Sequence, residues 1–91
     1  MNKQELVAAV AQKAGLTKKD AGAAVDAFVS VVKDALRSKD TVRLIGFGTF
    51  GVRKRAARKG RNPRTKAPIN IPSRWAPVFK PSNQLRELVN K

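Results

Sequence analysis

Apolar residues recur at helical spacing through roughly the first forty positions, alternate briefly with polar ones, and then give way to a long basic tract. Leu6, Val7, Val10 and Ala14 lie on one helical face, and Asn2 with Glu5 three residues on has the form of a capping box. Gly15-Leu16 suits a left-handed C-cap with its hydrophobic contact, so the first helix is predicted at about residues 3–14. Thr17 with Asp20 starts a second helix, predicted to run to Ser38 and to span about 30 Å at 1.5 Å per residue. Ala21, Val25, Phe28, Val29, Val32 and Leu36 form one stripe along it, and Ala24, Ala27, Val31 and Ala35 form a second beside it. At 100° per residue the two cover roughly 200°, twice the arc that one buried face requires. The polar arc is Asp26, Ser30, Lys33, Asp34 and Arg37.

Thr41–Ile45 reads as a strand, and Gly46-Phe47-Gly48 as a tight connection with both glycines free to take positive φ. Thr49 to Lys59 reads as one long strand in which Phe50 and Val52 alternate with Thr49 and Gly51; beyond Arg53 the apolar residues stop. Gly60-Arg61-Asn62-Pro63 has turn chemistry: glycine for free φ, asparagine tolerant of the left-handed region, proline with φ preset. The return from Arg64 to Phe79 carries Pro68, Pro72 and Pro77, which forbids a central strand and fits an edge strand or a bulged ribbon. Ile69 and Ile71 point the same way, and Val78 and Phe79 bring the chain back to the core. A two-stranded ribbon is marginal alone, so the tip, about residues 56–70, is expected to be mobile until it binds. Ser82 caps a last helix with Leu85, Leu88 and Val89 on one face. The expected fold is α+β, in one domain over residues 1–91. Two N-terminal helices form the base of a dimer, and a short helix closes the chain. Between them lies a three-stranded antiparallel sheet with a ribbon arm at about residues 53–76.

Length changes this picture in one respect. A chain of 91 residues buries only about 60–65% of its unfolded surface. A second helix apolar over so wide an arc needs more cover than one short helix and a small sheet supply, and dimerisation provides it.

Charge changes it more. The formal net charge is +14, and residues 1–45 carry eight basic and five acidic residues, whereas residues 46–91 carry twelve basic residues and Glu87 alone. Eight of the fourteen residues from Arg53 to Lys66 are Lys or Arg, and none is acidic or large and apolar. Such a tract builds no core and must face solvent or a polyanion.

The absence of cysteine and histidine removes thiolate chemistry, disulfides and the commonest general base and metal ligand. Glu5, Asp20, Asp26, Asp34, Asp40 and Glu87 suggest no acid–base pair, and no phosphate-loop glycine pattern occurs. No catalytic residue, metal site or cofactor is expected. Neither a signal-peptide core nor a membrane-spanning run is present, so a cytoplasmic location is the default.

What remains is nucleic acid. Arg53 and Arg55 share one strand face and Lys54 the other, which suits a ribbon lying inside a groove. Eight phosphate contacts would give a log–log salt slope of about −7. Exposed rings that stack single-stranded bases are missing from the pattern, since there is no Tyr and the phenylalanines sit in apolar surroundings. Trp75 is the one candidate, and packing at the arm's root is its expected role. Pro63, flanked by Arg61, Asn62 and Arg64, reads equally as a wedge between base pairs or as a turn proline touching nothing. A basic RNA-binding module is the alternative of another class, and a membrane-surface protein is weaker because the charge lies on a ribbon.

Gly46-Phe47-Gly48-Thr49-Phe50, the Gly60-Arg61-Asn62-Pro63 tip and Pro77-x-Phe79, in this order and spacing, resemble the bacterial HU/IHF family, and the likeness extends over all 91 residues. It implies an intertwined homodimer, or a heterodimer with a paralogue, whose two arms embrace double-stranded DNA in the minor groove of the nucleoid. It also implies a proline at each tip, here Pro63, wedging a base step. Carried onto this chain, the arm contacts are Arg53, Arg55, Arg58, Arg61, Asn62, Arg64 and Lys66, joined by Lys3, Arg74 and Lys80 from the body and arm root. The dimer interface is expected at Phe28, Val31, Val32, Ala35, Phe47, Phe50 and Phe79. Thr65-Lys66 replaces the family's usual Thr-Gly, which is expected to alter the returning turn. Ser82-Asn83 replaces a Gly-Lys pair, and Arg74-Trp75-Ala76, Pro68 and Pro72 are further departures. The basic, self-sufficient second helix favours sequence-tolerant HU over a site-preferring IHF-like subunit.

Overall fold

Capping decides where the helices start. Asn2 Oδ1 accepts the Glu5 amide at 2.9 Å and opens α1, Lys3–Ala14, and Gly15 closes it at φ 69° with its amide bound to the Ala11 carbonyl. Thr17 Oγ1 accepts the Asp20 amide at 3.1 Å and opens α2, Lys18–Arg37. In this computed structural model, which describes residues 1–91, Met1–Ala35 and Leu36–Lys91 form two compact units. In the first, Ala11 and Ala21 are the only buried residues, and a Cβ on Gly22 would meet Val7 at an ordinary van der Waals distance of 3.8 Å.

The second unit holds the strands: β1 Val42–Leu44, β2 Gly48–Arg55, β3 Arg58–Arg61, β4 Pro68–Ile71 and β5 Arg74–Pro81, followed by α3, Asn83–Val89. Ser82 Oγ caps α3 through the Leu85 amide at 3.1 Å. β1, β2 and β5 form an antiparallel sheet with β2 in the centre, and β3 and β4 form a separate antiparallel pair. The expected edge position of the returning strand is therefore found, but the single strand expected over 49–59 is broken at Ala56-Ala57.

Pro72 supplies the reason. The Ser82 amide donates to the Phe47 carbonyl. By alternation Lys80, Val78, Ala76 and Arg74 are then the β5 residues that exchange hydrogen bonds with β2. Pro77 and Pro81 fall between them, where no N–H is needed, and Pro72 falls where one is. The ladder stops after Arg55↔Arg74 and resumes at Arg58↔Ile71, with two residues dropped from each strand. The register is the same on both sides, so the ribbon has a symmetric gap where a bulge was an alternative.

Two glycine expectations change as well. Gly46 takes φ 82° as predicted, but Gly48 does not have positive φ. A Cβ on Gly48 would lie 2.6 Å from the Lys80 carbonyl and from the Phe79 ring, so close approach is what excludes a side chain. Gly60 belongs to β3 opposite Ile69, and its bare α-carbon makes room for Ile71, whose Cδ1 would stand 3.0 Å from a Cβ there.

Large apolar side chains remain uncovered in the single chain. Phe28 is 46% exposed, Val31 63% and Phe79 39%, with Phe47 also exposed and Val32, Ala35 and Phe50 only partly buried. These are the residues expected at a dimer interface. Phe79 lies 4.8 Å from Phe50 and 5.4 Å from Phe47, centroid to centroid, so the sheet's aromatic cluster is assembled but open on one side.

Candidate nucleic-acid interface

Strand alternation sorts the three-stranded sheet into two faces of different chemistry. Registers Arg43↔Thr49↔Lys80, Gly51↔Val78, Arg53↔Ala76 and Arg55↔Arg74 place Arg43, Arg53, Arg55, Arg74 and Lys80 on one face. Thr41, Thr49, Gly51, Arg53, Val78 and Lys80 border a concave region of about 460 Å³ there. The other face carries Val42, Leu44, Phe50, Val52, Pro77 and Phe79, and ends at the pair Lys54↔Trp75. Arg43 was not among the sequence-based candidates. Its position between Val42 and Leu44 is the signal that could have found it, because alternation there forces it away from the apolar face.

At the gap between the two strand pairs, Arg53, Lys54, Arg55, Arg58 and Arg74 surround a cavity of about 350 Å³ together with Ile71 and Pro72. No acidic residue occurs between Asp40 and Glu87, and none of these cations is ion-paired. The chain's one salt bridge joins Lys3 to Asp26 at 2.6 Å, with both side chains exposed. Lys3 thus lies in the helical unit, engaged by an acid of its own unit, whereas the other candidates belong to the strand unit.

The outer pair carries Arg58 opposite Ile71 and Gly60 opposite Ile69 on one face, and Lys59 opposite Asn70 and Arg61 opposite Pro68 on the other. Charge therefore lies on both faces, as expected, but the Arg58 face is also partly apolar through Ile69 and Ile71.

Asn62 builds the tip. Its Oδ1 accepts the amides of Arg64 at 2.8 Å and Thr65 at 3.4 Å, its carbonyl accepts the Lys66 amide at 2.7 Å, and its own amide donates to Ala67. This is the bonding of a helix N-cap, held for one turn. Pro63 occupies the first position, where a missing N–H costs nothing and the fixed φ fits. The chain turns back through Lys66 at φ 59°, the left-handed position that the sequence had suggested for Asn62. Lys66 adopts the conformation a glycine would take, so the substitution leaves the turn closed. Pro63 is exposed, with exposed Arg61 and Arg64 to either side.

Trp75, expected to pack at the arm's root, is 49% exposed there, with Lys39 Nζ 5.1 Å and Lys54 Nζ 6.0 Å from its ring centroid. No cluster of His, Cys, Asp and Glu is arranged to hold a metal ion, and no helix is long and apolar enough to cross a membrane.

A family described as bacterial DNA-binding protein matches residues 1–90, and so runs through both units. DNA-binding protein HU of Clostridium pasteurianum is 53% identical over 91 residues, covering 100% of each chain. DNA-binding protein HU of Geobacillus stearothermophilus is 55% identical over 89 residues, covering 98% of this chain and 99% of that one. Among solved structures, an Anabaena HU–DNA cocrystal structure superposes with a TM-score of 0.93 at 47% identity, over 98% of this chain and 97% of that one. HU from Thermotoga maritima gives a TM-score of 0.70 at 32% identity over 98% of each chain. By sequence along its whole length and by the form of its sheet and arm, the chain belongs to the bacterial HU/IHF family of DNA-binding proteins.

Proposed function

We propose that this chain binds double-stranded DNA as an intertwined dimer and bends it with little regard to sequence, organising the bacterial nucleoid in the cytoplasm. The observation that carries this is the tip, where an asparagine-capped turn holds Pro63 outward between two arginines on a ribbon free of acids. The relative solved with DNA supports the choice of ligand. Arg53, Arg55, Arg74, Lys80 and Arg43 on one sheet face neutralise phosphates near the arm's root. Arg58, Arg61, Asn62, Arg64 and Lys66 engage the minor groove, with Pro63 between base pairs. Lys3 joins them when its ion pair with Asp26 opens. The uncovered faces of α2 and the sheet support the dimer, with Phe28, Val31, Val32, Ala35, Phe47, Phe50 and Phe79 meeting a second copy or a paralogue. No catalytic step is assigned.

End-to-end energy transfer on two unrelated labelled duplexes of about 35 base pairs, at two salt concentrations, tests this. Both should shorten equally and lose binding together as salt rises. Pro63→Ala should bind with similar affinity and bend less; undiminished bending would leave Pro63 a turn residue only. Bending of one sequence alone would replace sequence tolerance by the IHF-like reading.

A further inference from the structure

Trp75 and its two lysines lie on the sheet face opposite the arginines. The ring stands apart from the Phe47–Phe79–Phe50 cluster and ends the apolar face at the arm's root, across the strand pair from Lys54. Lys39, itself held at φ 62° in the turn after α2, brings a second ammonium to the same ring. Half of the tryptophan surface remains open to solvent. Lys39 Nζ also donates to the Arg37 carbonyl at 3.3 Å, so one cation is tethered to the turn beside the ring. An aromatic face beside two cations fits a ligand that has both a flat π-system and negative charge. Solvent-exposed cation–π contacts are weaker than base–aromatic stacking. An arriving base therefore displaces the ammonium groups from the ring, and both are then placed to meet the neighbouring phosphates. Duplex DNA offers no base face at this position, since its bases are stacked; the arginine face, which has no ring, suits its phosphates.

We infer that Trp75, Lys39 and Lys54 form a stacking site for an unpaired nucleotide of single-stranded DNA, separate from the duplex-facing surface. This rests on the reading that the chain binds DNA; Lys54 also borders the cavity among the arginines at the gap, whereas Trp75 and Lys39 do not. Trp75 is the only tryptophan and there is no tyrosine, so its emission reports the site directly.

Full-length protein is titrated at low salt with a dT12 oligonucleotide and with an intact 20-base-pair duplex, following emission and the anisotropy of the labelled DNA. Saturable quenching by dT12, with little by the duplex, is expected. Trp75→Leu should weaken dT12 about tenfold and the duplex less than twofold. Lys39→Gln, which removes the ammonium and its exposed hydrogen bond to the Arg37 carbonyl, should weaken dT12 alone, and Trp75→Phe should restore part of the loss. No quenching by dT12, or equal losses on both ligands, would overturn the site and leave Trp75 a brace of the arm or a residue covered by the partner copy. Equal quenching by thymidine triphosphate would reassign it to free nucleotides, and tighter binding of rU12 would reassign it to RNA. Failure of the wild-type protein to bind duplex would instead overturn the duplex reading, whatever dT12 does.

Discussion

β2 and β5 on one side of the gap, and β3 and β4 on the other, are antiparallel pairs in a common register, yet different forces hold them. The inner pair carries the Phe50–Phe79 contact, buried Gly48 and Gly51, and a third strand, β1. The outer pair has Ile69 and Ile71 against Gly60, and a tip closed by hydrogen bonds. Side-chain packing thus defines the inner pair, with part of its apolar face exposed. Backbone and asparagine chemistry define the outer one, whose cations have no acidic partner. Substitutions that act through packing should therefore be felt at the inner end, and substitutions that act through turn geometry at the outer.

The largest effect is expected where the apolar surface is widest. Val31→Asp would place an unpaired carboxylate against a second copy's apolar surface. That should destabilise the assembly by about 3 kcal/mol or more. Sedimentation should show monomer, or circular dichroism an unfolded chain; an intact dimer with an unchanged thermal midpoint would remove α2 from the interface.

The same small substitution at either end tests the contrast directly. Gly48→Ala places a methyl group 2.6 Å from the Lys80 carbonyl and the Phe79 ring, neither of which can yield without moving the sheet. Overpacking of this kind costs about 1–3 kcal/mol, and the thermal midpoint should fall. Gly60→Ala meets the flexible end of Ile71 at 3.0 Å, which can rotate away. Its midpoint should stay near that of the wild type. Equal losses would mean that the outer pair melts together with the body.

Asn62 separates geometry from contact at the tip. Asn62→Ala removes the acceptor for two amides, at a cost of about 1 kcal/mol to the turn. Asn62→Asp keeps the acceptor. If Asn62 acts by holding Pro63, bending should fall in the first variant and survive in the second, with a modest affinity loss from the added charge. Equal loss in both would make the amide group a DNA contact.

These residues also show how far the sequence reaches. Helix caps were legible because Asn2, Thr17, Gly15 and Ser82 act over three or four positions, and all four do as expected. The gap at Ala56-Ala57 was not, although Pro72 was in view. Whether a proline breaks a ladder depends on which neighbours exchange hydrogen bonds, and that is set by register across the sheet. Gly48 and Gly60 failed for a related reason: glycine serves both free φ and close approach, and only the opposing strand tells them apart. The basic arm and its apex were legible from local density, whereas Arg43 joins that face only through pairing with Thr49. Trp75 was expected to pack at the arm's root, but Lys39, far off in the chain, is one of the two cations it meets there.

Lys66 gives the smallest effect and the sharpest separation of the two forces at the tip. Its left-handed φ of 59° costs a non-glycine residue about 1–2 kcal/mol. Lys66→Gly removes that strain, but the unfolded arm gains about 0.5–1 kcal/mol of conformational freedom, so the net ordering of the turn is about 1 kcal/mol or less. The same change deletes one cation and should make the log–log salt slope shallower by about 0.9. At low salt the lost phosphate contact dominates and the variant binds DNA more weakly. As salt rises the contact loses its value, the better-formed turn persists, and the glycine variant should overtake the wild type. Lys66→Gln loses the same charge and keeps the strain, so it should converge on the wild type at high salt without crossing. Binding isotherms at four salt concentrations distinguish these curves. Parallel behaviour of the glycine and glutamine variants would mean that the strain at Lys66 does not reach the bound state.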